Sequence, residues 1–124
     1  MTVGVQAIYM NLPVKDLTKS IAFFSALGFE FDENFKDDKG ASLIINESIF
    51  VMLLTEAFFT SFTHLGIADT SKENEVIIAI QVESKEVVDE LLTKAINNGA
   101  VDKTYTGTIK YNGVTYNIKN GKVN

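Results

Sequence analysis

Few side chains in this sequence could do chemistry, and their types decide which reactions are open to it. His64 is the single histidine and the one side chain that titrates near neutrality by default, so general acid–base work is what it could offer. It follows the aromatic residues Phe58, Phe59 and Phe62 and precedes Gly66 and Asp69, in a polar stretch where solvation is the plainer reading. A serine–histidine–aspartate relay through Asp69 lacks a nucleophile-elbow sequence around any serine. Asp37-Asp38 pairs two carboxylates only in sequence, and ahead of Lys39-Gly40 it reads as a solvated turn. Cysteine is absent, which removes thiol catalysis, zinc–thiolate sites and disulfides. Arginine is absent too, so no site can use the planar bidentate fork that grips carboxylate or phosphate. The glycines form no phosphate loop, and the lysines of the tail are too mixed with asparagine to mark an anion site.

The 124 residues, 46% of them hydrophobic and 22% charged, make one domain with enough apolar material for a core without covalent staples. A net charge of −5 argues against nucleic acid or an anionic membrane as partner. The longest apolar runs, Ile49–Leu54 and Val76–Ile80, are strand-sized and too short to span a bilayer. The first positive side chain is Lys15, so Met1 to Asn11 lacks the basic region of a secretory signal, and the expected location is the cytoplasm. Asn46-Glu47-Ser48 fits a glycosylation pattern but reads as a turn between strands.

The elements that must position these residues follow from local pattern. Ala7–Val14 reads as a strand, Asp16 as a helix N-cap, and Leu17, Ile21, Phe24 and Leu27 as the apolar stripe of a helix stopped by Gly28. Phe29–Lys36 alternates, with Phe29, Phe31 and Phe35 on one side, as a half-buried strand does. Strands are expected at Ala41–Ile45 and Ile49–Leu54, joined by the turns at 37–40 and 46–48. Phe58, Phe59 and Phe62 suit either a short helix closing a core or an aromatic cover or dimer contact. After a polar loop at 66–75 the pattern restarts. Val76–Val82 reads as a strand, Ser84 as an N-cap, and Val87, Val88, Leu91, Leu92, Ala95 and Ile96 as a helical stripe ending at Asn98-Gly99. Thr104–Tyr111 and Val114–Ile118 read as strands around an Asn112-Gly113 turn. Strand, cap, amphipathic helix and terminal glycine thus occur twice, which suggests two similar modules.

Leu12-Pro13-Val14-Lys15-Asp16-Leu17, Lys19-Ser20-Ile21-Ala22-Phe23-Phe24 and Leu27-Gly28-Phe29, supported by Ile49–Leu54 and Asn98-Gly99-Ala100, resemble the vicinal oxygen chelate superfamily. That superfamily includes glyoxalase I (lactoylglutathione lyase), extradiol dioxygenases, and fosfomycin- and bleomycin-resistance proteins. The resemblance implies an α+β fold in which paired βαβββ modules form a curved, barrel-like mixed sheet with two flanking helices, usually completed by dimerisation. It implies a single domain over 1–124, with module one at 7–65 and module two at 76–124, the latter divergent or incomplete after residue 100. Such proteins hold a metal on the concave face. The positions that match their ligands are Tyr9, Leu53 and Ile77, and the place of a final glutamate, after an Asn120-Gly121 turn, falls at or beyond Asn124. Leucine and isoleucine donate nothing to a divalent cation.

If Tyr9 faces the cavity, strand parity places Asn11, Val51, Leu53, Ile77, Ala79 and Gln81 there too, with Phe58 and Phe62 as a cover. The expectation is a metal-free, glyoxalase-like homodimer that binds an apolar small molecule through Tyr9, Asn11, Leu53, Phe58, Phe62, Ile77 and Gln81. The alternatives are a metal-dependent lyase or dioxygenase with unusual ligands, and a structural or interaction domain.

Overall fold

The structure, a computed structural model, describes residues 3–100 together with 107–111, 114–119 and 122–123. The chain divides into two compact units, Met1–Ile78 and Ala79–Asn124.

The first unit is a complete βαβββ module. Its elements are β1 (Ile8–Val14), α1 (Leu17–Ala26), β2 (Glu30–Lys36), β3 (Gly40–Ile44), β4 (Ile49–Thr55) and the short α2 (Glu56–Thr60). The strands form one mixed sheet in the order β1-β4-β3-β2, which among the described residues is not closed into a barrel. β1 runs parallel to β4, and the remaining neighbours are antiparallel. The turns are made by side chains that satisfy backbone donors. Asp37 Oδ1 accepts from Lys39 N at 2.8 Å and Gly40 N at 3.1 Å, so this carboxylate builds the β2–β3 turn. Asn46 Oδ1 accepts from Ser48 N and Ile49 N, both at 2.9 Å, which makes the Asn46-Glu47-Ser48 segment the expected turn.

Helix α1 starts where Asp16 Oδ1 accepts from Lys19 N at 3.1 Å. It ends at Gly28, whose φ of 101° is open to glycine at no steric cost. Beneath it, Leu43, Val51 and Leu53 are buried together, and Met10, Leu12, Val14, Leu17, Phe24, Phe29 and Phe31 pack around them. One expected core residue departs from the alternation. The β2–β3 register shifts between Phe31 and Lys36, and Phe35 turns outward, exposed. Within that stretch Asp32 Oδ1 accepts from Asn34 N at 3.0 Å, a local bond of the kind that accompanies a bulge.

The second unit contains α3 (Lys85–Asn97), β5 (Gly107–Tyr111), β6 (Val114–Lys119) and β7 (Lys122–Val123), with the strands in an antiparallel sheet of order β5-β6-β7. Ser84 Oγ caps α3 by accepting from Val87 N at 3.3 Å, and Gly99 at φ 103° stops it. Both helices end alike. Gly28 N bonds to Ser25 O and Phe29 N to Phe24 O, while Gly99 N bonds to Ile96 O and Ala100 N to Ala95 O. The turns expected at Asn112-Gly113 and Asn120-Gly121 lie outside the described residues.

Among the described residues, 74–82 enter no hydrogen-bonded ladder, so the strand expected at Val76–Val82 is not found there. A strand exists only by pairing, and apolar, β-branched composition is necessary for it without being sufficient. Among the described residues the second unit therefore reads αβββ, without the leading strand that a second full module would have. Among the described residues no helix is long and apolar enough to cross a membrane.

Candidate functional site

The sheet of the first unit has one face under α1 and one without it. Residues directly opposite each other in paired strands project to the same face, so register decides which side chains meet. The face away from the core carries two rows. Tyr9 lies opposite Phe50, Phe50 opposite Ile44, and Ile44 opposite Glu30. The neighbouring row is Asn11, Met52 and Ser42. Tyr9 is 59% exposed and its ring lies parallel to that of Phe50, with centroids 5.0 Å apart and planes 11° apart. Such a stack contributes about 0.5–1.5 kcal/mol beyond the area it covers. Phe50, Met52 and Ile44 are half-buried, Asn11 is exposed, and Asn11 Nδ2 donates to Tyr9 O at 3.5 Å.

Tyr9 and Asn11 therefore sit together as parity within β1 requires. Leu53 does not join them. It is buried with Val51 in the core, against Met10 and Leu12 on the opposite face. The register sets Tyr9 against Phe50, so the even-numbered residues of β4 share its face. Alternation within a strand is legible in sequence, whereas its phase relative to a neighbour is set by the ladder. Phe50 and Met52 are consequently the members that sequence reasoning missed. Ile49–Leu54 is apolar throughout, which hides the phase.

The remaining candidates are dispersed. Phe58 and Phe62 meet edge to face at 5.0 Å, with Lys39 Nζ 5.8 Å from the Phe58 ring, and α2 packs against β1 and β4. Phe58 is half-buried, while Phe62 lies beyond the end of α2 and is exposed. Ile77 is 88% exposed and outside the four-stranded sheet. Gln81, also exposed, belongs to the second unit.

His64 is exposed in the bend after α2. Asp69 is engaged elsewhere: its Oδ1 accepts from Ser71 Oγ at 2.6 Å and Ser71 N at 3.0 Å. The hydroxyl bond first, then the backbone bond, holds the Asp69 carboxyl below the usual aspartate value. This is a local turn, and it supplies no orienting carboxylate for a histidine.

The fold raises the question of a metal, and the donors on the two rows can be compared with what one needs. The two rows offer a phenol, an amide, a thioether and a hydroxyl near one another, with Glu30 three strands from Tyr9, about 14 Å at the usual strand spacing. Divalent cations need several imidazole or carboxylate donors converging on one point. This set does not fit one. Among the described residues no three His, Asp or Glu side chains gather anywhere.

No family model matches the sequence, and no curated protein matches it. Solved structures do. A hypothetical protein from S. aureus is 25% identical, with a TM-score of 0.68, over 96% of this chain and 90% of that one. A glyoxalase/bleomycin resistance protein/dioxygenase family enzyme from Burkholderia phytofirmans PsJN is 21% identical, with a TM-score of 0.58, over 80% of this chain and 79% of that one. At that identity the likeness is one of architecture, and it shows that this chain has a glyoxalase-like, α+β fold.

Proposed function

We propose that the protein is a metal-free small-molecule binder of glyoxalase-like fold, which holds an apolar, ring-containing ligand beside Tyr9 and Phe50, on the face of the four-stranded sheet away from α1. The observation that carries this reading is the Tyr9–Phe50 stack. An exposed tyrosine, held parallel to a half-buried phenylalanine and flanked by Met52 and Asn11, offers a flat apolar surface beside an amide that can orient a ligand. Tyr9 occupies the position at which the resembling superfamily holds its first metal ligand. Phe50 and Met52 as its neighbours support a reading of that position as a contact for an apolar ligand.

The test has two arms. Melting midpoints are measured with and without nickel, zinc, manganese and ferrous iron, alongside metal analysis of the purified protein. A stoichiometric ion that raises the midpoint by mass action would overturn the metal-free reading. Calorimetry against a panel of planar aromatic compounds then compares the native protein with Tyr9→Ala. Loss of the stack is expected to weaken any ligand by about tenfold, and unchanged affinity would reject Tyr9 as a contact.

A further inference from the structure

On the face away from α1, a ring and an amide stand side by side. Tyr9 and Asn11 are two residues apart on β1, so their side chains leave that face about 7 Å from one another. A single ring laid against Tyr9 stops short of the amide, whereas two fused rings reach it. The amide also has a direction. Asn11 Nδ2 donates to Tyr9 O at 3.5 Å, a long bond that draws on the N–H turned toward the backbone. A carbonyl oxygen can only accept, which decides the end of the carboxamide that carries nitrogen. The other N–H and Oδ1 then share the outer edge of an exposed side chain.

The surroundings favour a neutral group at that edge. β1, β3 and β4 have no aspartate, glutamate, lysine or histidine along them. Glu30 stands three strands from Tyr9, and Lys15 lies four residues beyond Asn11, past the end of β1. An ion brought against these strands gives up water without meeting a counter-charge on them, which costs more than desolvating a neutral amide. A donor beside an acceptor is matched by the same pair reversed. A lactam holds its N–H and C=O on one edge, because the ring forces the amide cis.

We propose that the ligand of this site belongs to the neutral, planar, fused-ring lactams, with a ring against Tyr9 and the lactam N–H and C=O paired with Oδ1 and Nδ2 of Asn11. The proposal rests on the reading of Tyr9 and Phe50 as a binding surface, and it adds Asn11 as the residue that selects among ring compounds. The two bonds stand or fall together, since an alkyl group on the lactam nitrogen removes the donor and pushes against Oδ1.

Calorimetry with four probes of one size tests this: 2-quinolone, N-methyl-2-quinolone, quinoline and 2-naphthoate. The native protein should bind 2-quinolone about tenfold more tightly than each of the other three. Asn11→Leu should erase that advantage and leave the affinity for quinoline unchanged, while Tyr9→Ala weakens all four. Asn11 is exposed, so the melting midpoint of Asn11→Leu should match the native one; should that variant fail to fold, the four affinities of the native protein decide. Equal affinities for 2-quinolone, its N-methyl derivative and quinoline would overturn the lactam assignment and leave the aromatic surface standing. An advantage that survives Asn11→Leu would overturn the role of Asn11. Tighter binding of 2-naphthoate would overturn the neutral class, and no binding of any probe would overturn the proposal together with the reading beneath it.

Discussion

Tyr9 and Leu53 belong to paired strands but to opposite faces, and their replacements should separate accordingly. Leu53→Ala deletes buried methyl groups from the cluster with Leu43 and Val51 and is expected to cost about 2–5 kcal/mol in urea unfolding. Tyr9→Ala removes an exposed ring and should cost no more than about 1.5 kcal/mol, the worth of its stack. A reversed order would mean that the faces are assigned the wrong way round. Asp69 offers a second residue-level test. Because the Ser71 bonds hold its folded carboxyl below the unfolded value, they favour the folded state above that unfolded value, and the effect is lost as pH falls through the folded one. Ser71→Ala should move the Asp69 titration, followed by carboxyl-carbon NMR, upward toward an ordinary aspartate. At this scale Tyr9 and Asn11 were legible as a pair from one strand's alternation. Leu53, Phe50 and Met52 were not, since that needs the phase of two strands separated along the chain.

Elements whose stops and starts are written locally were the most readable. Asp16, Gly28, Ser84 and Gly99 each act within a few residues of themselves, and both long helices lie where these residues put them. Asp16→Ala and Ser84→Ala should each cost about 1 kcal/mol, because each leaves a first-turn amide without its acceptor. Gly40 is constrained by space instead. A Cβ there would lie 2.7 Å from a methyl of Leu54 and 3.1 Å from Leu53 O, so Gly40→Ala should destabilise by about 1–3 kcal/mol in the same urea assay. The 76–82 run shows where local reading stops. Its composition is that of a strand, yet among the described residues it enters no ladder, because pairing depends on a neighbour that no local pattern names.

For the molecule as a whole, the division between Ile78 and Ala79 follows a polar stretch in which Lys72 and Glu73 both donate backbone N–H groups to Asp69 O. Brief trypsin digestion read by mass spectrometry should cut after Lys72 before it cuts after Lys36, which ends β2, or Lys39, which lies in the β2–β3 turn. Early cleavage at that turn would contradict the turn bonding described for Asp37. The parallel pairing of β1 with β4 also sets an order of assembly. β2, β3 and β4 are consecutive and joined by tight turns, so each can find its neighbour with little loop closure. β1 is synthesised first but pairs with a strand that begins at Ile49, after a helix and two other strands have been made. During synthesis it must wait, an apolar strand without a sheet, until Thr55 has emerged. Of these four strands the earliest made is thus expected to dock last, and kinetic analysis of β1 variants should find their cost in faster unfolding while the folding rate hardly changes.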